Sequence, residues 1–379
     1  MSLNQYFKNF KKFLLLGIIL VEILVFSHFG SRPSYAQTPT IAQNYYRFYE
    51  NNDGIQPITP LANENTALND IGSGTVLRLR ISLSVTEASA SAGQSFKLQF
   101  ATSTAGPWSD VGSIGSPAIW RGFNNSTPSD GATLTSTLLS VSNVVETYEE
   151  ENNSAGTPNT IDAGQDGEWD WVIQNNSALG RVTYFFRMVK DDGSALDSYV
   201  NYPQVTPRTE LSFSMEGVLA NVNIEGITTD VTTTSTTIPF GNLSVNFPKE
   251  AAHLLTISTN AASGYTVLMK QNQDLTAEAG VTIDGVSGTN SSPGSWPGSV
   301  LGGAFGYHSA DHSLGTGTTS RFSNDNTYAR FETTAFEIVY SSGPVSGEQV
   351  YFVYKIEIGG AQAPGSYINS LFFIATPVF

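Results

Sequence analysis

Four acidic residues lie close together in the sequence and are candidates for a Ca²⁺ site. Asp162, Asp166, Glu168 and Asp170 have two glycines between them. Ca²⁺ prefers carboxylate oxygens on such loops, although the residue order of an EF-hand loop is absent. Glu168 and Asp170 alternate with tryptophans, as the polar residues of a solvent-facing strand edge do. We therefore predict a solvated acidic turn, with a calcium site as the alternative and no other cofactor.

Two histidines, His308 and His312, flank Asp311. On a helix, residues four apart share one face, and two imidazoles at this spacing bind zinc in metalloproteases. The glycines and serines around the pair favour a loop or strand, and Glu does not follow His308 as that motif requires. The sequence thus argues against a zinc-protease site, and metal binding by this pair is only an alternative.

Other catalytic arrangements have little support. The chain contains no cysteine, and it has no Gly-x-Ser-x-Gly nucleophile motif. The acidic run 149–151 is followed by two asparagines, which is typical of a solvated loop, whereas glycosidases use a pair of carboxylates held across a substrate. We predict that the protein is not an enzyme, with a glycan-acting enzyme as the lesser alternative.

Three aromatic residues stand outside clean strand alternation, namely Trp120, Trp296 and Tyr307. Aromatic side chains line many ligand sites, and exposed rings offer flat surfaces for sugars. Core packing is the competing interpretation. If the protein is an extracellular carbohydrate-binding protein, these are the residues that we expect to contact the ligand.

The charge and the missing cysteines restrict partners and fold. The chain has 33 acidic and 18 basic residues and a formal net charge of −15, so nucleic acid is not an expected partner. Without disulfides, stability must come from apolar cores in domains large enough to supply them. A chain of 379 residues is long enough for two such domains.

Residues 1–36 have the features of a secretory signal peptide. Lysines precede a short apolar run, and Ser34-Tyr35-Ala36 supplies the small residues of a cleavage site. The apolar run is shorter than the roughly 20 residues of a membrane-spanning helix. We predict a signal helix that is cleaved between Ala36 and Gln37, and a secreted or cell-surface protein. Retention as a membrane anchor is one alternative, and a pilin-like subunit, suggested by residues 17–22, is another.

Alternation of apolar and polar residues dominates the chain after residue 36, which predicts antiparallel strands. In the run 95–100, for example, Phe96, Leu98 and Phe100 fall on one face. Clusters of turn-forming residues separate many short runs, a pattern that favours β-sandwiches. Two prolines close together at 203 and 207 mark a linker, so we predict one domain over residues 37–208 and a second over 209–379.

Two motifs carry a resemblance to known modules. Leu179 followed by Tyr184 resembles the tyrosine corner of fibronectin type III and other immunoglobulin-like domains. Residues 259–265 and 365–371 resemble exported bacterial sandwiches of the spore-coat-U and WxL type, and the whole chain resembles two-domain bacterial surface proteins. The resemblance implies an all-β fold with two tandem immunoglobulin-like antiparallel β-sandwiches after an N-terminal signal helix.

The leading functional hypothesis is a structural or adhesive protein of the cell surface. We expect its partners to be cell-envelope or extracellular proteins, glycans or other copies of the chain. We expect membrane contact only through an uncleaved N-terminal segment. The alternating run 367–375 has the pattern of an edge strand that accepts or donates a strand.

Overall fold

The computed structural model describes residues 37–313, 315, 320–323 and 326–379, together with residue 11. The predicted signal peptide and the Ala36 side of its cleavage site therefore lie outside the described residues. From residue 37 onward, the described residues form strands, turns and loops without a helix, so the predicted all-β class is confirmed. No described helix is long and apolar enough to cross a membrane.

The first eleven strands build two facing sheets. They are β1 (Thr40–Glu50), β2 (Leu68–Ile71), β3 (Val76–Thr86), β4 (Phe96–Ala101), β5 (Ser109–Asp110), β6 (Trp120–Gly122), β7 (Val144–Glu149), β8 (Asp166–Asn175), β9 (Tyr184–Lys190), β10 (Ser198–Tyr199) and β11 (Gln204–Pro207). One sheet has the order β10-β1-β3-β8-β6 with β7 paired to β8, and the other has the order β2-β11-β9-β4-β5. The pairs β1/β10, β2/β11 and β7/β8 are parallel. The prediction of a purely antiparallel sandwich is therefore wrong in this detail.

Aromatic side chains fill the space between these two sheets. Trp169 of β8 meets Phe96 of β4 edge to face, with ring centroids 5.1 Å apart. Trp120 of β6 lies 5.1 Å from Phe186 of β9 in the same geometry. All four side chains are buried. Each buried aromatic residue removes roughly 150–250 Å² from water, so these contacts are a major part of what holds the sheets together.

The tyrosine-corner contact is present. The hydroxyl of Tyr184 accepts a hydrogen bond from the backbone N–H of Leu179, at 3.0 Å. Burial raises the pKa of Tyr184 above its usual value, so the hydroxyl stays protonated at neutral pH. The bond fixes the chain where it enters β9 and gives a partner to a partly buried backbone donor.

The remaining fourteen strands follow residue 210. They are β12 (Leu211–Gly217), β13 (Asn223–Ile224), β14 (Ile227–Thr228), β15 (Lys249–Thr259), β16 (Tyr265–Gln271), β17 (Leu275–Ala277), β18 (Thr282–Ile283), β19 (Gly294–Ser295), β20 (Gly303–Ser309), β21 (Thr327–Tyr328), β22 (Phe336–Ser341), β23 (Val345–Ile358), β24 (Tyr367–Ile368) and β25 (Leu371–Pro377). A four-stranded sheet of order β12-β15-β23-β20 faces a three-stranded sheet of order β22-β16-β25. Another three-stranded sheet, β18-β17-β24, and the pairs β13/β14 and β19/β21 complete this half.

The four-stranded sheet is covered on both faces. Towards the three-stranded sheet, Phe352 of β23 packs against Phe373 of β25, with ring centroids 5.8 Å apart. On the opposite face, Val353 lies in a second apolar cluster with Ile224 and Ile227 of the β13/β14 hairpin. The hairpin is thus packed onto the outside of the sheet, which places its tip near β20.

One predicted strand differs from the structure. The run 367–375 is divided between β24 and β25, which belong to different sheets. The break is held by polar contacts, because Asn369 donates to the Gln271 side chain and the N–H of Ser370 donates to that of Asn272.

The two sets of sheets meet around residues 208–210. Asn260 connects them, because its side-chain amide donates to the carbonyl of Arg208 at 2.9 Å and its side-chain oxygen accepts from the N–H of Glu210 at 2.7 Å. Its own carbonyl accepts from the N–H of Gly180 at 3.0 Å. The division into domains that fold independently stays a prediction.

Candidate functional site

The predicted acidic turn contains a buried ion-pair network. Glu168 and Asp170 lie on the face of β8 that points away from Trp169, and both are fully buried. Arg80 binds both carboxylates at 2.8 Å, and Arg78 pairs with Asp170. Glu168 also accepts the backbone N–H groups of residues 138 and 139. Burial raises the pKa of Glu168, and the charge of Arg80 opposes that rise.

The four acids were predicted to form a solvated turn or, alternatively, a calcium site, and the structure places them in different environments. Asp162 is exposed and accepts from Ser89 at 2.9 Å, and Asp166 accepts from Ser84. The carboxylates of Glu168 and Asp170 are neutralised by arginines. The predicted solvent-facing position is therefore wrong for Glu168 and Asp170, because β8 is a central strand and its outer face is covered. A calcium site at the four acids stays an untested prediction.

Loop residues 52–55 and 136–139 contact this face of the sheet, and β7 extends the same sheet beside β8. Tyr148 of β7 packs with Leu134 and Val172 in a small apolar cluster, and its hydroxyl donates to Glu150 at 2.7 Å. Glu149 is fully buried, and burial raises its pKa to about 8. The predicted solvated run 149–151 is thus largely inside the protein. Its two buried carboxylates accept hydrogen bonds from neighbouring loops, Glu149 from the N–H of Ala155 and Glu150 from the N–H of Asn125.

Glu146 of β7 is the most unusual group beside β8. Its side chain is fully buried, no side chain among the described residues donates to its carboxylate, and the backbone of Asn159 is its hydrogen-bonding neighbour. Burial raises its pKa to about 8, and the backbone of Asn159 is a smaller, opposing influence. The carboxyl group is therefore neutral over most of the physiological pH range.

Two of the three predicted ligand-binding aromatics are core residues. Trp120 and Tyr307 are both 0% exposed, and the hydroxyl of Tyr307 donates to Asn290 at 2.6 Å. Trp296 is half-buried on the outer face of the second half, where its indole N–H donates to Glu357 and its ring contacts Lys355. This corrects the prediction for Trp120 and Tyr307, because a side chain without exposed surface cannot contact a surface ligand.

An aromatic stack that the sequence did not indicate lies on the first half. Trp108, Tyr202 and Tyr199 are half-exposed and stacked, with centroid distances of 5.7 and 5.3 Å. The guanidinium of Arg187 lies 4.3 Å from the centre of the Trp108 ring. The residues are up to 94 positions apart in sequence, so no local pattern marks them. Where two of these rings stack, each covers a face of the other that a sugar ring would otherwise contact.

Glu225, His308 and His312 form the one cluster of potential metal ligands found among the described residues. His308 lies on β20 with its side chain on the outer face of the sheet, and Glu225 is at the tip of the β13/β14 hairpin. The Oε2 atom of Glu225 is 3.0 Å from Nε2 of each histidine. The three ligand atoms lie within 4.8 Å of one another.

Strand β25 presents an apolar surface at a sheet edge. Among the described residues, its backbone pairs with β16 on one side only. Leu371, Phe373 and Ala375 turn towards the core, whereas Phe372 and Ile374 point outward and are 47% and 44% exposed. An edge strand with outward apolar side chains is a template for pairing with another strand.

Comparisons with known proteins yield distant structural similarity only. No family model and no curated protein matches the chain. Similar solved structures include a chaperone–tip adhesin complex of CFA/I fimbriae (7% identity, 92% of this chain and 87% of that chain covered, TM-score 0.26). A second is the CsuC–CsuE chaperone–tip adhesion subunit complex of Acinetobacter baumannii (10% identity, 82% of this chain and 96% of that chain covered, TM-score 0.26). A third is the CupB6 tip adhesin of Pseudomonas aeruginosa (9% identity, 90% of this chain and 95% of that chain covered, TM-score 0.21). Similarity at these TM-scores assigns neither a family nor an activity.

Proposed function

We propose that this chain is an exported structural or adhesive protein of the bacterial surface, and that copies of it associate through the edge of β25. The observation that carries the proposal is the outward pair Phe372 and Ile374 on a strand whose second edge has no partner strand among the described residues. A strand added at this edge would gain main-chain hydrogen bonds and cover both apolar side chains.

The proposed partner is a second copy, because a strand edge is self-complementary under two-fold symmetry. Two β25 strands that run antiparallel place the same alternating residues opposite each other and join two three-stranded sheets into one. The net charge of −15 repels copies at low ionic strength, so association should strengthen when salt screens that charge.

Sedimentation velocity over a concentration series, at low and moderate salt, tests this association. We expect dimers of the wild-type protein to increase with concentration and salt, and the Ile374→Lys variant to stay monomeric because a charge at an edge opposes strand pairing. The matched control is Ile58→Lys, which changes an isoleucine that is 80% exposed on the first half. A monomeric wild type, or association of Ile374→Lys equal to that of the wild type, would contradict the proposal.

Export is tested separately by fractionation of the native organism with N-terminal sequencing. A protein that starts at Gln37 in the medium or at the surface supports cleaved export. An intact Met1 in the cytoplasm would contradict it. Carbohydrate binding has less support, because Trp120 and Tyr307 are buried and the rings of the surface stack cover one another.

A further inference from the structure

We propose that Glu225, His308 and His312 bind one divalent transition-metal cation, for which Zn²⁺ is the best chemical match. Two imidazole nitrogens and one carboxylate oxygen are a common donor set for Zn²⁺. Ca²⁺ is a poor match, because it requires six to eight oxygen ligands. The inference is independent of the proposed association through β25.

The hydrogen bonds of His308 direct a lone pair into the cluster. Its Nδ1 atom lies 3.0 Å from the carbonyl oxygen of Thr327. A carbonyl only accepts hydrogen bonds, so Nδ1 carries a proton. In the neutral imidazole, Nε2 then has its lone pair facing the Glu225 carboxylate, which is also an acceptor. Metal-bound histidines commonly have this arrangement, in which the second ring nitrogen donates to a carbonyl and fixes the tautomer.

The spacing of the ligand atoms suits a tetrahedral ion. Ligand atoms about 2.05 Å from a tetrahedral Zn²⁺ lie about 3.3 Å from each other. The two distances from Glu225 to the histidine nitrogens are 3.0 Å, and the two nitrogens lie within 4.8 Å of each other, so small rotations of the side chains would bring all three atoms around one ion. Direct hydrogen bonds between Glu225 and the two imidazoles are the alternative to a bound ion, and Zn²⁺ titration distinguishes the two arrangements.

The backbone at Glu225 supports a role for its side chain. Glu225 and Gly226 are the two central residues of the hairpin turn between Ile224 and Ile227, with φ values of 49° and 85°. Positive φ at both positions is typical of a type I′ turn, where Asn, Asp and Gly are preferred. A glutamate is an unfavourable choice for this backbone. Its longer side chain, however, spans the distance from the hairpin tip to both histidines.

Solvent reaches the cluster from one side. The side chain of His308 is fully buried, whereas those of His312 and Glu225 are 37% and 34% exposed. Three protein ligands leave one coordination position for water on that side. The bound ion would connect the hairpin tip to β20 and to the segment that follows β20, both of which lie more than 80 positions from the tip in the chain.

Isothermal titration calorimetry of the EDTA-treated protein with ZnCl₂ tests the proposal, and CoCl₂ provides a spectroscopic signal from the same site. We expect one equivalent of Zn²⁺ to bind and Co²⁺ to give the intense visible absorption of a tetrahedral complex. CaCl₂ should give no heat. Bound Zn²⁺ should also raise the melting temperature, since it binds only the folded state.

Two variants remove ligands without disturbing the fold. Glu225→Asn removes the carboxylate and shortens the side chain, and asparagine tolerates the positive φ at this position. His312→Gln replaces the imidazole of a partly exposed side chain. Each should weaken Zn²⁺ binding by about tenfold or more, while the exposed control Glu216→Gln leaves it unchanged. Absence of stoichiometric Zn²⁺ binding to the wild type would overturn the proposal, leaving a hydrogen-bonded triad. Wild-type affinity in both variants would overturn it as well.

Discussion

The buried carboxyl group of Glu146 makes the stability of this protein depend on pH. It is 0% exposed, no side chain among the described residues donates to its oxygens, and burial raises its pKa from 4.5 to about 8 against a smaller effect of the Asn159 backbone. Between these two pH values, the folded protein keeps a proton that the unfolded chain has lost. The free energy of unfolding therefore falls as the pH rises from 4.5 towards 8.

The size of this effect follows from the difference between the two pKa values. At pH 7 the unfolded-state pKa lies about 2.5 units below the pH, and each unit is worth about 1.36 kcal/mol, which gives a cost of about 3.4 kcal/mol. Glu146→Gln has nearly the same shape and does not titrate. We expect the variant to equal the wild type in stability at pH 4 and to exceed it by up to about 3 kcal/mol at pH 7.

Urea unfolding at several pH values between 4 and 8 measures this difference. Glu149, whose pKa is also raised to about 8, should leave a residual pH dependence in the variant. Glu278→Gln changes an exposed acid and is the control, for which we expect no pH-dependent gain. If the gain from Glu146→Gln is the same at pH 4 and pH 7, the carboxyl group does not titrate as its burial requires and the reasoning is wrong.

Two further substitutions test the first half by urea unfolding at pH 7. Asp170→Asn leaves two buried arginines with one carboxylate, so we expect a loss of about 3–5 kcal/mol. The matched Asp162→Asn changes an exposed acid from the same run and should stay within about 0.5 kcal/mol of the wild type; equal effects would refute the buried network. Tyr184→Phe removes the acceptor of the Leu179 N–H and should cost about 1–2 kcal/mol, whereas an unchanged midpoint would show that the corner contributes nothing.

The strands were predictable because their side chains alternate locally. β4 matches the predicted run 95–100 closely, and β3 and β8 show the same pattern, with apolar residues at every second position facing the core. The other face of β8 was not predictable. Glu168 and Asp170 look solvent-facing in sequence, but arginines from β3 and the loop residues 52–55 and 136–139 enclose them. Neither contribution is adjacent to β8 in the chain.

The aromatic predictions show the same limit. A tryptophan outside an alternating run is equally compatible with a surface platform and with a core position, and burial decides between them. Trp120 occupies a three-residue strand that is too short to show alternation, yet its ring lies between the two sheets. The surface stack of Trp108, Tyr199 and Tyr202 arises only because their strands and loops meet in space.

By itself, the sequence determined the all-β class, many of the strands and the Leu179–Tyr184 contact, because these depend on residues that are close together in the chain. Tertiary structure decided the environment of each polar group. His308 and His312 were visible as a pair, but their third partner, Glu225, is 83 positions from His308. It reaches them because apolar residues on either side of the hairpin turn pack onto the outer face of the sheet. Burial of those residues, rather than any local motif, brings the three ligand atoms together.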